Sequence, residues 1–135
     1  MTSLQVALAS STLDLEQARD LRRSVLCGEL NWPREVVEDP ADLESMVLLA
    51  CLGPKPVGSA RLIRRDGQYH IECLAVLERF RRQGIGRALL SFAEAKAQSC
   101  VVALVTGTDI AFFERCGYSF VSESESLVRL EKCAL

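Results

Sequence analysis

The chain has 135 residues, of which 49% are hydrophobic and 25% charged. That length suits one domain, and the composition excludes a disordered chain. Sixteen Lys and Arg against 18 Asp and Glu leave a net charge of −2. This excludes the basic balance of a general nucleic-acid binder, and no apolar run approaches the roughly 20 residues of a membrane helix.

Leu4 to Ala9 is short and partly alternating, a first strand. The opening MTSLQVALAS has no basic leader and only a short apolar stretch, so it is not read as a secretory signal. Asp14 offers a helix N-cap with Gln17 three residues on. Leu15, Ala18, Leu21, Val25 and Leu26 follow at helical spacing, and Gly28 is the expected stop. Pro33 opens a short helix within Asn31 to Asp39, which Asp39-Pro40 closes. Met46 to Leu52 reads as a buried strand, followed by a Gly53-Pro54-Lys55-Pro56 turn. Val57 to Arg65 and Tyr69 to Val76 are strands joined at Asp66-Gly67, a hairpin signal because a tight primed turn needs positive φ. Gly84 to Gln98 is a helix with Ile85, Leu89, Phe92 and Ala93 on one face. Val101 to Val105 is another buried strand, and Asp109 to Cys116 is a short helix ended by Gly117. Tyr118 to Val121 and Leu127 to Leu130 are two last strands around a solvated loop, Ser122 to Ser126. The order β-α-α-β-β-β-α-β-α-β-β predicts an α/β (α+β) domain built on one mixed sheet.

Six cysteines stand at 27, 51, 73, 100, 116 and 133, with no CxxC pair and one histidine, His70. Neither zinc-ligand nor thioredoxin-type spacing is present, so no metal is expected. Cysteines inside apolar runs behave as small buried hydrophobes. All six are expected as reduced thiols of a cytoplasmic protein, because disulfides belong to oxidising compartments.

Chemistry concentrates in Ile71 to Leu90, IECLAVLERFRRQGIGRALL. An apolar strand ends near Val76, a basic turn follows, and a long helix begins around Gly84. A helix start presents unpaired N–H groups and the positive end of the helix dipole. Gly84 and Gly86 remove side chains from that backbone, and Arg79, Arg81, Arg82 and Arg87 add positive charge. Together they make an anion site suited to a phosphate or pyrophosphate. A dinucleotide fingerprint needs a third glycine where Leu89 stands, and a phosphate loop needs Gly-Lys-Ser/Thr. What remains is Arg-x-x-Gly-x-Gly at Arg81, Gly84 and Gly86. Its plainer reading is a glycine turn beside a solvated arginine face.

At these residues the chain resembles the GNAT superfamily of N-acetyltransferases. LAVLERFRRQGIGRALL is similar to the superfamily's acetyl-coenzyme A segment and AFFERCGYSFV to its later segment. SVLCGELNWP and KPVGSARL are similar to small bacterial members. The resemblance implies a twisted mixed sheet whose fourth and fifth strands splay to admit the pantetheine arm of acetyl-coenzyme A. It also implies that backbone groups of Leu74, Ala75 and Val76 pair with the pantetheine amides. N–H groups of Arg82, Gln83, Gly84, Ile85, Gly86 and Arg87, with Arg81, would hold the pyrophosphate. The Val76 N–H would face the thioester oxygen as an oxyanion donor.

Transfer to an amine needs a neutral nucleophile, a stabilised oxyanion and a tolerated thiolate. Alternation places His70, Glu72, Leu74 and Val76 on one strand face. Related acetyltransferases carry acid–base residues at positions matching 70 or 72, so Glu72 is the first choice of base and His70 the second. Glu72 has a competing reading as the partner of Arg61, and His70 as a surface residue beside the hairpin. Phe113 stands beside the cofactor where many members carry a tyrosine that protonates the thiolate, and it has no proton to give. Glu29, Glu35, Glu38, Asp39, Asp42 and Glu44 form an acidic stretch that would draw a cationic amine or stand as a solvated loop. Trp32 lines an acceptor pocket or anchors packing. The expected acceptor is a primary amine of a small molecule or peptide. The alternative to an enzyme is a non-catalytic module that binds acetyl-coenzyme A. The outer edge of the last strands would allow two copies to pair as a homodimer.

Overall fold

The computed structural model describes residues 3–37 and 40–133. Seven strands form one sheet: β1 (Leu4–Leu8), β2 (Met46–Leu52), β3 (Lys55–Arg65), β4 (Gln68–Val76), β5 (Val101–Val105), β6 (Ser119–Ser124) and β7 (Leu127–Lys132). Their spatial order is β1-β2-β3-β4-β5-β7-β6. Every neighbouring pair is antiparallel except β4 and β5, which run parallel because α3 (Ile85–Ala97) crosses over between them. The other helices are α1 (Thr12–Arg22), α2 (Arg34–Val37) and α4 (Gly107–Arg115). This is the mixed sheet that the sequence order predicts.

The apolar runs of β2, β3 and β5 sit at the centre of the sheet, where both faces are covered. On one face Ile85, Leu89, Leu90 and Ala93 of α3 pack against Leu48, Val57, Leu62 and Ile71. Burying each such leucine contributes about 1.5–3 kcal/mol. Gly58 allows α3 this close: a Cβ there would lie 2.9 Å from Ile85 Cγ2 and 3.1 Å from Leu89 Cδ1. On the other face Leu21, Val25, Leu26 and Val37 cover Cys73 and Ala75 of β4.

Four local expectations are corrected. The N-cap of α1 is Ser11, whose Oγ accepts the Asp14 N–H at 3.0 Å, so Asp14 sits in the first turn. Gly28 does not stop the helix, which continues from Arg23 to Glu29 as a π-helical segment and turns at Asn31 with φ 59°. The Ser122–Ser126 stretch is mostly strand, since β6 reaches Ser124 and a short turn holds Glu125 at φ 55°. Nor are all the cysteines reduced: Cys100 and Cys133 form a disulfide across β5 and β7, with their Cα atoms 4.0 Å apart. It continues the register in which Val101 faces Lys132. A separation of 33 residues carries no trace of this pairing in the sequence. Cys73 and Cys116 are buried thiols, while Cys27 and Cys51 are half-buried.

Candidate active site

Two irregularities of β4 create the site. The ladder between β4 and β5 consists of Tyr69 opposite Val101 and His70 opposite Val102. Beyond these pairs the strands diverge, while β5 stays paired to β7 along its whole length. The second irregularity is a bulge. Ser59 faces Ala75 but Arg61 faces Glu72, so β4 holds one extra residue there, and Cys73 takes φ 54°.

The bulge reverses the expected alternation. Tyr69, Ile71, Leu74 and Val76 pack toward α3, whereas Cys73 and Ala75 pack toward α1. Glu72 joins the α1 side through Arg61 and Asp42. His70 and Glu72 therefore do not share a face with Leu74 and Val76. The backbone groups are sorted in the same region. The Leu77 N–H donates to the Val57 carbonyl of β3 at 2.9 Å. Because successive N–H groups alternate sides along a strand, those of Leu74 and Val76 point into the gap, and that of Ala75 points to β3.

After β4 the chain makes a 3-10 turn at Glu78–Phe80 and enters α3 through Arg82 at φ 64° and Gly84 at φ 84°. Left-handed residues at a helix start turn successive N–H groups toward one point. Among the described residues no backbone carbonyl accepts the N–H groups of residues 82–87, and the first bond of the helix runs from the Ala88 N–H to the Gly84 carbonyl. A Cβ on Gly84 would meet nothing within 4 Å, so this side is open to a ligand. Gly86 has a different role, because a Cβ there would lie 2.9 Å from Phe112 Cζ. Its bareness lets α4 pack on α3.

These elements border a cavity of about 1190 Å³ that reaches from Arg82 and Gly84 past Leu74 and Val76 to His70 and Glu72. Its far wall is the π-helical segment with Leu30, Trp32 and Glu35. Trp32 both lines the cavity and packs at the edge of the α1-side core.

Glu72 is held by two arginines. It accepts from Arg61 Nε at 3.0 Å and Nη2 at 2.9 Å, and from Arg65 Nε at 2.9 Å. Burial pushes its carboxyl up, but the hydrogen bonds from Arg65 and Arg61 outweigh that and keep it below the usual range. Arg61 continues to the buried Asp42, which also takes two bonds from the fully buried Arg22 at 3.0 and 2.6 Å and one from Arg19 at 3.2 Å. His70 is buried at the vertex of the splay, and burial lowers its proton affinity. Arg129 and Arg65 lower it further, while Glu72 opposes them. At neutral pH the imidazole is uncharged and able to accept a proton.

Phe113 is buried in the core and also borders the cavity, edge-on to Phe112 and Tyr118. The Tyr118 hydroxyl donates to Glu94 Oε2 at 3.0 Å, and burial beside that carboxylate raises its pKa well above the phenol range. It therefore does not replace the missing hydroxyl at 113.

The acidic rim is smaller than the sequence suggests. Asp42 is buried beneath arginines, Glu29 is paired with Arg81, and Glu35 remains at the cavity wall. Glu38 and Asp39 lie outside the described residues. Arg81 lines the cavity, and its guanidinium faces Glu29 and the Val76 carbonyl. Among the described residues no group of three His, Cys, Asp or Glu side chains gathers into a metal site. No helix among them is long and apolar enough to cross a membrane.

Known proteins share this fold. An uncharacterised N-acetyltransferase of Bacillus subtilis, YjcF, is 28% identical over 128 residues, covering 92% of this chain and 91% of its own. A candidate N-acetyltransferase of Lactobacillus plantarum has the same fold, with a TM-score of 0.87 at 23% identity over 98% of this chain and 99% of its own. A Bacillus subtilis acetyltransferase solved with coenzyme A gives a TM-score of 0.78 at 18% identity, over 98% of this chain and all of its own. The model of the acetyltransferase (GNAT) family matches residues 13–118. That match spans the first helix, the splayed strands and the α3 amides, and it places the chain in the GNAT family of acetyltransferases.

Proposed function

We propose that this protein transfers acetyl from acetyl-coenzyme A to a primary amine of a small molecule or peptide, by direct attack without an acyl-enzyme. The observation that carries this reading is the gap between β4 and β5, which joins the open amides of residues 82–87 to the His70 end of one cavity. Acetyl-coenzyme A supplies the activated acyl group. Residues 82–87, with Arg82 and Arg87, hold its pyrophosphate. Leu74 and Val76 offer backbone groups to its pantetheine arm, much as a neighbouring strand would. The Val76 N–H, aimed into the gap, stabilises charge developing on the thioester oxygen.

The two base candidates change order. His70 is neutral and takes the proton from the attacking amine, directly or through water. Glu72 is a weak base while two arginines hold it, and its part is to fix the edge of the acceptor site. No cysteine nucleophile is required; Cys73 is buried and its thiol is pushed up by that burial. We place the work of the enzyme in the cytoplasm with its cosubstrate, and Cys100–Cys133 is unusual there.

Phe113 favours one other reading, a module that binds acetyl-coenzyme A without turning it over. Following free thiol with acetyl-coenzyme A and a panel of amines separates the two. The enzyme releases thiol only when a suitable amine is present, and His70→Gln lowers that rate by about 10²-fold or more. Tight cofactor binding with no amine-dependent release across the panel identifies the module.

A further inference from the structure

Arg81 occupies the first position of the Arg-x-x-Gly-x-Gly pattern, yet its exposed guanidinium is already engaged by Glu29 and the Val76 carbonyl. Nη1 and Nη2 donate to the two carboxylate oxygens of Glu29 at 2.6 and 2.8 Å, a side-by-side bidentate pair. Nε donates to the Val76 carbonyl at 3.0 Å. One side chain thus ties together three separate pieces: the end of β4, the turn that leads into α3, and the π-helical segment across the cavity. Glu29 is the last residue of that π-helical segment. A wider helical turn at a site wall re-aims the residues that follow it, and here Glu29 arrives opposite Arg81, 52 positions away in sequence.

Resting on the reading of the site as an acetyl-coenzyme A site, we propose that Glu29 is a positioning residue for the cofactor. It holds Arg81, and through Arg81 the Val76 carbonyl and the 77–84 turn, in the shape that receives the pyrophosphate. Arg81 then acts as a latch and not as a phosphate ligand. Contacts to the anion come from the 82–87 amides with Arg82 and Arg87, whose side chains border the same cavity. The clasp also joins the two walls of the cavity, because Val25, Leu26 and Leu30 of the opposite wall belong to the same stretch as Glu29.

The two roles for Arg81 make opposite demands on Glu29. A latch weakens when Glu29 is lost, whereas a phosphate ligand is released by that loss and binds as well or better. The experiment is calorimetry with coenzyme A on the wild type, Glu29→Ala, Glu29→Gln, Arg81→Ala and the Glu29→Ala/Arg81→Ala double variant, with thermal melts alongside. The expected result is a loss of about fivefold for Glu29→Ala and about tenfold for Arg81→Ala. The double variant is expected to be no weaker than Arg81→Ala alone, as for two members of one interaction. Glu29→Gln, which keeps the shape and one acceptor, recovers part of the loss. In turnover with a responsive amine, the same variants raise KM for acetyl-coenzyme A while kcat changes little. Unchanged or tighter coenzyme A binding by Glu29→Ala, or strictly additive losses in the double variant, overturns the latch. A wild type that binds no coenzyme A overturns the reading of the site itself, which is a separate outcome.

Discussion

Gly84 and Gly86 stand two positions apart in one motif and answer to different physics. Gly84 is left-handed and faces open space, while Gly86 is bare because Phe112 lies against it. Gly86→Ala forces that ring to shift and is expected to destabilise the fold by about 1–3 kcal/mol in urea denaturation. An unchanged midpoint would show that Phe112 yields freely. The sequence marks both positions as special, but only the folded structure separates the glycine that faces open space from the one that faces a neighbour. Glu72 teaches a related lesson. Its carboxyl, like that of Asp42, is held below the unfolded value by arginines in spite of burial. The unfolded chain therefore binds more protons than the folded one as pH falls through this range. The stability these groups contribute is fully present above an ordinary carboxylate pKa of about 4 and is lost as pH drops through their lowered folded values. Urea midpoints are expected to fall on acidification below about pH 4, and less steeply in Glu72→Gln. Identical acid slopes in the two proteins would remove Glu72 from that balance.

Among the elements, those with a strong period were legible and those with a break in period were not. The α3 face, the apolar runs of β2 and β5, and the Asp66-Gly67 hairpin follow from spacing and turn chemistry. The β4 bulge does not, because Cys73 at positive φ looks like any residue of an apolar strand. Missing it puts His70 and Glu72 on the wrong face relative to Leu74 and Val76. The π-helical segment is hidden in the same way: Gly28 reads as a stop, but the helix widens instead and carries Glu29 to Arg81. Both irregularities border the cavity, where local preference and final structure are expected to disagree. The exposed strand β6, with Phe120 and Val121 open to solvent, is the outer edge of the sheet.

On the scale of the whole molecule, a single sheet divides where β4 and β5 part, and each half is braced separately. The first half is locked by the buried Arg22–Asp42–Arg61 chain, and the second by the full β5–β7 ladder with its Cys100–Cys133 bond. Two braced halves with a gap between them hold an open strand edge that would otherwise close or aggregate. What fills that gap therefore decides what the protein does. A titration of isotope-labelled protein with coenzyme A, followed amide by amide in NMR spectra, tests this most directly. The expected result is that the amides of Leu74, Val76 and residues 82–87 shift most and become slower to exchange with solvent, while that of Ala75, already turned to β3, gains no new protection. Shifts gathered elsewhere on the surface, or none at saturating coenzyme A, would contradict the account.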